Sequence, residues 1–419
     1  MCILEQAHEC REPAVRLIAP LFAPLFADDN DLALAEHPAA RDALRMDTTT
    51  FDTIVIGAGI AGATCAAHLA SDQKVALIEA EEAAGYHSTG RSAAIWIQNY
   101  GPPDVQTLTG LSRSFFENPP EGFTDSPIMA QRAVCFLAPE EQEAHLERLL
   151  NEGVGLKEIS IPGLRALVPA LRPEYARRAA IETDAFDMDV AALHQGFLRQ
   201  LTARGGTLAL RSRSGTISRK NGIWHVEVTG GTIFRAATVV NAAGAWGDVV
   251  AEQAGVGKLG LIPKRRTGVV IDPTPFIPTN WPMLNDVDHT WYCRAEARTK
   301  LMLSPADETD DTPHDVRPDE YDVAVAVDRM QQALDIDVRR VEHSWAGLRT
   351  FTPDRSLAFG WDAAASRFMW CVGQGGYGIQ TSPAAGQYIA DLVCGRDPGA
   401  AGSIALRADP ARFATVSMT

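Results

Sequence analysis

An α/β fold, α+β when the whole chain is counted, is predicted by three features of this sequence. Residues 53–79 read strand, glycine loop, helix, strand and terminal acid in unbroken order. Residues 368–394 repeat the first three of those parts near the far end. Between them lie short β-branched runs bounded by turn residues, interleaved with stretches of helical apolar spacing. The chain has 419 residues, 46% of them hydrophobic, enough to bury more than one core, so two intertwined domains are expected.

The first unit opens on Thr53, Ile54, Val55 and Ile56 and enters Gly57-Ala58-Gly59-Ile60-Ala61-Gly62 directly. Gly57 permits the tight strand-to-helix turn, Gly59 has no Cβ to keep a pyrophosphate off the backbone, and Gly62 lets the helix lie close on the strands. The helix start offers unpaired N–H groups and a partial positive charge to phosphates. A second apolar run, 75–78, ends on Glu79, at about the spacing where a carboxylate accepts hydrogen bonds from a ribose. A glycine loop alone is common. All five parts in order specify a Rossmann-type dinucleotide unit.

Composition narrows the classes. A formal charge of −15 argues against a nucleic-acid binder. The seven cysteines are scattered without CxxC spacing, which suits a reduced, cytoplasmic protein, and the histidines form no HExxH or HxH pair, so no metal is expected. Residues 17–27 are apolar, but Pro20 and Pro24 break any helix and the run is too short to span a bilayer. Glu5, Glu9 and Glu12 offset Arg11 and Arg16, unlike a secretory n-region. Residues 1–45 therefore read as an extension outside the fold, or else as a separate functional segment, and Met46 as the lead-in to the first strand. No stable membrane insertion is expected.

Further along, Ser88, Thr89, Arg91 and Ser92 crowd hydrogen-bond donors into five positions of the loop 85–94. A capped helix start would use such residues, but four donors beside a phosphate-binding unit favour a cofactor edge. Residues 102–180 mix helical patterns with Pro-rich loops, and 189–201 has amphipathic helical spacing. Asn221-Gly222 between two β-rich runs predicts a type I′ hairpin. Strand 237–241 runs into Ala242-Ala243-Gly244, small residues that allow close backbone approach to a ligand. Residues 259–304 are strand-rich, 324–334 predict an amphipathic helix, and Arg349 ends the His343–Arg349 segment amid apolar neighbours. Strand 368–372 then leads into Gly373-Gln-Gly-Gly-Tyr-Gly-Ile379 and a last helix. The nucleotide domain is thus discontinuous.

Taken together, GAGIAG, GYHSTGRSAA, NAAGAW, HSWAGLR and QGGYGIQT resemble the D-amino-acid oxidase-like (DAO) family of FAD-dependent oxidoreductases, which includes sarcosine and glycine oxidases. Within it the bacterial D-arginine dehydrogenases are most similar, from about residue 52 to 396, through stretches such as FFENPPEGF and LGLIPKRR. The resemblance implies a GR2-type Rossmann FAD-binding domain over 46–110, 185–262 and 340–419. A substrate domain on a mixed β-sheet would cover 111–184 and 263–339. It assigns Gly57, Gly59, Ile60, Ala61, Gly62 and Glu79 to the pyrophosphate and ribose of non-covalent FAD. Ser88, Thr89, Arg91 and Ser92 would line the cofactor, Ala243 and Gly244 would pass its backbone, and Gly375, Gly376, Gly378, Ile379, Gln380 and Thr381 would sit at the flavin ring.

For the substrate, the resemblance places a carboxylate on Arg349, with Tyr292, Tyr100 and Arg266 around it, and Ile95, Val134, Met283, Asn285, Gly376 and Ile379 lining the pocket. A guanidinium forks bidentately onto a carboxylate and tyrosine hydroxyls complete the cage, although a structural ion pair is the competing reading for Arg349 and, more strongly, for Arg266. The arginine-selective relatives keep a carboxylate where this chain has Val134 and a histidine where it has Ile95, so a cationic side chain is disfavoured here. The implied reaction is oxidative deamination of neutral or apolar D-amino acids to 2-oxo acids and ammonia by hydride transfer to flavin N5, with oxygen or a quinone as acceptor. The alternatives are a sarcosine, glycine or other secondary-amine oxidase and a non-catalytic FAD-binding subunit, the last at odds with an intact Arg349 and Tyr292.

Overall fold

The first strand forms where the β-branched run predicts it. The computed structural model describes residues 48–413, beginning with β1 (Thr48–Ile56), α1 (Ile60–Leu69) and β2 (Val75–Ile78). The expected extension 1–45 lies outside the described residues. β1 and β2 run parallel, and all four residues of β2 are buried, as a strand covered on both faces must be. The first half continues with β3 (Ile95–Trp96), α2 (Pro103–Glu117), β4 (Met129–Gln131), β5 (Val134–Ala138), β6 (Leu156–Ile159), β7 (Arg178–Glu182), β8 (Phe186–Met188) and α3 (Val190–Ala203). Then come β9 (Thr207–Ala209), β10 (Ser214–Lys220), β11 (Ile223–Val228), β12 (Ile233–Asn241) and β13 (Ile262–Ile271). The last part holds β14 (Met283–Asp286), β15 (Tyr292–Glu296), β16 (Lys300–Ser304), α4 (Glu320–Ala333), β17 (Val341–Phe351), β18 (Ala358–Trp361), β19 (Phe368–Val372) and α5 (Gly378–Cys394).

Two eight-stranded sheets organise these elements. The first runs β10-β11-β12-β1-β2-β9, with β19 joining β12 and β18 joining β19. β12 is long enough to pair with β11 through its first half and with β19 through Val239–Asn241. That brings the loops after β1, β12 and β19 to one sheet edge, where nucleotides bind in such sheets. The β10–β11 turn has φ +50° at Asn221 and +83° at Gly222, the two positive angles a type I′ hairpin needs.

The second sheet runs β17-β13-β16-β15-β14-β5-β7-β6. It is mixed, because β14 and β5 are parallel while its other pairs are antiparallel. β17 pairs with β13 along its length, from Val341 opposite Ile271 to Phe351 opposite Ile262. Residues 341–351 therefore belong to the second sheet, not to the nucleotide domain that 340–419 was expected to complete. The β-branched and aromatic content of the segment marks a strand; nothing in it names the partner sheet. A small third sheet, β3-β8-β4, lies between these segments in the chain.

Candidate active site

The glycine loop leaves no room for side chains. Gly57 has φ +100°, and a Cβ there would come within 2.6 Å of the Ala242 carbonyl oxygen. A Cβ on Gly62 would fall 1.8 Å from the Gly57 oxygen. Backbone packs on backbone here, so the loop after β1 and the end of β12 form two walls of one cleft. Gly57, Gly59, Ile60, Ala61 and Glu79 line it from one side, and Ala243, Gly244, Ser88, Thr89 and Gly375 from the others. Glu79 braces the loop as well, its Oε2 accepting from the Ala58 N–H at 2.8 Å and its Oε1 from the Glu81 N–H at 3.0 Å. A cradle that any Cβ would fill, a helix N-terminus and a carboxylate at the strand end fit the diphosphate and ribose of a dinucleotide.

A second cavity, of about 380 Å³, opens on one face of the second sheet. Strand order places Arg349 on β17, Arg266 on β13, Tyr292 on β15, Asn285 and Met283 on β14 and Phe136 on β5 around it. Asn285 stands opposite both Tyr292 and Phe136. From the nucleotide side come Ile95, Tyr100, Gly376 and Ile379. The Arg349 Nη1 donates to the Tyr100 hydroxyl at 3.3 Å, and a Cβ on Gly376 would sit 2.7 Å from that nitrogen, so the loop before α5 lies flat on the guanidinium. Burial works against the Arg349 charge, but Tyr100, Tyr292 and Tyr377 hold it above its usual range. Burial likewise raises the Tyr292 phenol, yet Arg349 and Arg266 together bring it below its ordinary value. A space lined by Ile60, Ser92, Gly347, Gly378 and Ile379 joins cavity to cleft.

The family model for FAD dependent oxidoreductases (DAO) matches residues 52–392. The chain belongs to this DAO family. Its relatives include "FAD-dependent oxidoreductase domain-containing protein 1" of Bos taurus, 25% identical over 395 residues, covering 82% of this chain and 81% of that protein. The Mus musculus protein of the same name is 23% identical, covering 87% and 85%. Neither carries the D-arginine dehydrogenase name, so the likeness stands for the family and not for that branch. Among solved structures, glycine oxidase from Geobacillus kaustophilus has TM-score 0.74 at 20% identity, covering 83% of this chain and 95% of that one. L-proline dehydrogenase from P. horikoshii has TM-score 0.76 at 21% identity, covering 89% and 100%. At such identities they establish the shared fold.

Several side chains of this DAO-family chain sit elsewhere than expected. Val134 is fully buried and off the cavity wall; Phe136, two residues on along β5 and so on the same face, lines it instead. Arg91 gives its Nη1 to the carbonyls of Val316 and Ala346 and pairs with Asp315, so its guanidinium is already engaged by protein groups, although the residue borders the space between cavity and cleft. Ser88 donates to the Leu348 oxygen at 2.6 Å, and the Thr89 hydroxyl accepts from the Ile60 N–H at 2.9 Å, capping α1. Gln380 and Thr381 point into packing: Gln380 bonds Thr109 at 2.8 Å and Thr381 the Tyr377 oxygen at 2.9 Å. The helical turn of about 100° per residue carries them off the face that Gly378 and Ile379 present. Arg266 lines the cavity but is tied to the Asp307 oxygen at 2.9 Å and to Glu308 at 3.3 Å.

Other residues emerge only from the fold. Glu308 lines the cavity and is gripped by both terminal nitrogens of Arg355 at 2.9 Å. Cavity-lining Asp288 pairs with His145 at 2.6 Å. Asp286 turns away, accepting from Gln142, Thr290 and Trp291. Asn285 donates to the Cys135 oxygen, and its own buried Oδ1 has no partner among the described residues. His194 places its Nε2 at 2.9 Å from the Ala58 oxygen, and burial lowers its pKa, so the neutral ring steadies the glycine loop as a donor. A histidine on the apolar face of 189–201 was the only sequence signal for it. Four non-glycine residues on the cavity wall have left-handed backbone: Ala94 (φ +29°), His289 (+56°), Ala306 (+51°) and Arg355 (+64°). Such angles persist where surrounding structure over-determines them, often at functional sites.

Proposed function

We propose that this protein oxidises small amino acids whose carboxylate rests on Arg349, with D-amino acids of neutral or apolar side chain as the best substrates. Arg349 carries the reading. Its guanidinium faces a cavity with no carboxylate within salt-bridge distance among the described residues, between tyrosines and beside the cofactor cleft. A charge left so exposed to an anion is a binding site in waiting. FAD, held non-covalently by the glycine loop, Glu79 and the α5 N-terminus, would supply the two-electron acceptor for the substrate Cα–H bond, with oxygen or a quinone taking the electrons onward. Arg349 and Tyr100 fix the carboxylate, Tyr292 closes the cage, and the loop at Gly376 sets how close Cα comes to the cleft. The imino acid released would hydrolyse in water to a 2-oxo acid and ammonia.

The preference for neutral side chains follows from the paired state of the cavity acids. Glu308 is bound by Arg355 and Asp288 by His145, so neither is free to compensate a buried cation. The rings of Tyr100 and Tyr377, 5.0 Å apart, would accept an N-alkyl group as well, which favours secondary-amine oxidation as the second reading. The unpaired described cysteines support a reducing, cytoplasmic location. An anaerobic screen of D- and L-amino acids and N-methyl amines against the visible flavin band tests the substrate reading. Bleaching by D-leucine or D-methionine with ammonia as product is expected, whereas formaldehyde would select the second reading. A preference for D-arginine of about tenfold or more would defeat the side-chain argument.

A further inference from the structure

We propose that Glu182 is a positioning residue: from β7 it holds the segment 98–101 so that Tyr100 meets the Arg349 guanidinium. The inference rests on Arg349 being the carboxylate site. Glu182 stands opposite Val134 on the face of the second sheet that bears Phe136, and it is 1% exposed. Its Oε1 accepts from the Gln98 N–H at 3.1 Å and its Oε2 from the Asn99 side-chain amide at 2.9 Å. Asn99 in turn bonds both backbone groups of Val154, at 2.7 and 2.8 Å, and Gln106 donates to the Gly101 oxygen at 2.9 Å. Tyr100 lies between these anchors, its hydroxyl on Arg349 and its ring edge-on to Tyr377. A continuous chain of contacts thus joins Glu182 to the carboxylate site.

The choice of an acid is informative. A neutral acceptor would serve a purely structural role, and no cation pairs with Glu182 among the described residues. With an N–H donor facing each oxygen, the anion is the stronger acceptor for both; protonation makes one oxygen an O–H and weakens its hold on its donor. Burial pushes the carboxyl up to about 7, offset in part by those donors. The groups around it are few. Asp184 on the same segment is paired with Arg113 of α2, β5 and β6 present Val134 and Leu156, and Glu158 on β6 is paired with Arg178. The grip on segment 98–101 therefore strengthens as pH rises through neutrality.

The test titrates benzoate, a monocarboxylate without an amine, into holoenzyme and follows the perturbed flavin band. Between about pH 6 and about pH 8 the wild-type dissociation constant should fall by about three- to tenfold, because benzoate itself stays ionised throughout. Glu182→Gln should abolish that dependence and hold the constant near its weak, low-pH value, raising the amino-acid KM more than it lowers kcat. Asn99→Ala, at a half-buried position, should weaken benzoate likewise and move the pH midpoint upward, since a donor to the anion is lost. Arg349→Met is the control. If it leaves benzoate binding intact, the carboxylate-site reading itself fails. If Arg349→Met abolishes binding while Glu182→Gln keeps the wild-type affinity and pH profile, the positioning role is overturned.

Discussion

At the scale of single residues the cavity is defined by which charges have partners. Arg349 has no partner of opposite charge among the described residues, only the Tyr100 hydroxyl, whereas Arg266, Glu308, Arg355 and Asp288 all have charged or ionisable partners. Arg349→Met should lower kcat/KM by about 10- to 150-fold, the equivalent of about 1.5–3 kcal/mol for a charge-assisted pair, with flavin content near wild type. Steady-state kinetics beside the absorbance of the purified protein checks both parts, and Tyr292→Phe should cost less because the ring remains. Val134 teaches the opposite lesson. Its place in the sequence suggested a specificity position, but only the strand register shows that it packs beside Glu182 while Phe136 reaches the cavity. Val134→Glu should then destabilise the fold without improving D-arginine turnover, since it buries a second carboxylate next to the first. A stable variant with improved D-arginine kcat/KM would restore the sequence reading.

At the scale of elements, local chemistry was legible and long-range pairing was not. The strand, glycine loop and helix around Gly57, and the Asn221-Gly222 turn, follow from backbone angles that only certain residues adopt, so they show in a single sequence. Gly57→Ala should cost the left-handed penalty of about 1–2 kcal/mol and the clash with Ala242 besides. The variant should purify largely colourless; a fully yellow protein would mean that the loop yields more than its packing suggests. The donor-rich loop 85–94 was recognisable as a set of donors, but its acceptors (Leu348, Ala346, Val316 and Asp315) lie more than 200 residues away. The same limit hid the partner of β17, whose composition fits either sheet.

For the molecule as a whole, two histidines shielded from water, His68 and His194, bear on stability in acid. Burial lowers His68 from 6.5 to about 4, with Arg204 adding to the effect, and lowers His194 as well. A histidine whose folded pKa is depressed makes the unfolded state bind protons first, so stability present above about 6.5 is lost as pH falls below it. Glu182 acts with the reverse sign, contributing stability below its unfolded value that declines as pH rises toward 7. Between pH 6.5 and 4.5 the two signs oppose each other, so each is read by difference: the change in the holoprotein's thermal unfolding midpoint on acidification should be less destabilising in His194→Gln than in wild type and more destabilising in Glu182→Gln. The connectivity has a mechanical consequence. The chain passes between the two large sheets after β2, before β9, after β12 and after β17. A clamshell opening would have to bend all of those crossings at once, which favours traffic to the cavity through local loops such as the one carrying His289 over separation of lobes. Under a pulling force applied at residues 48 and 413, the two sheets should accordingly rupture as one event and not as two.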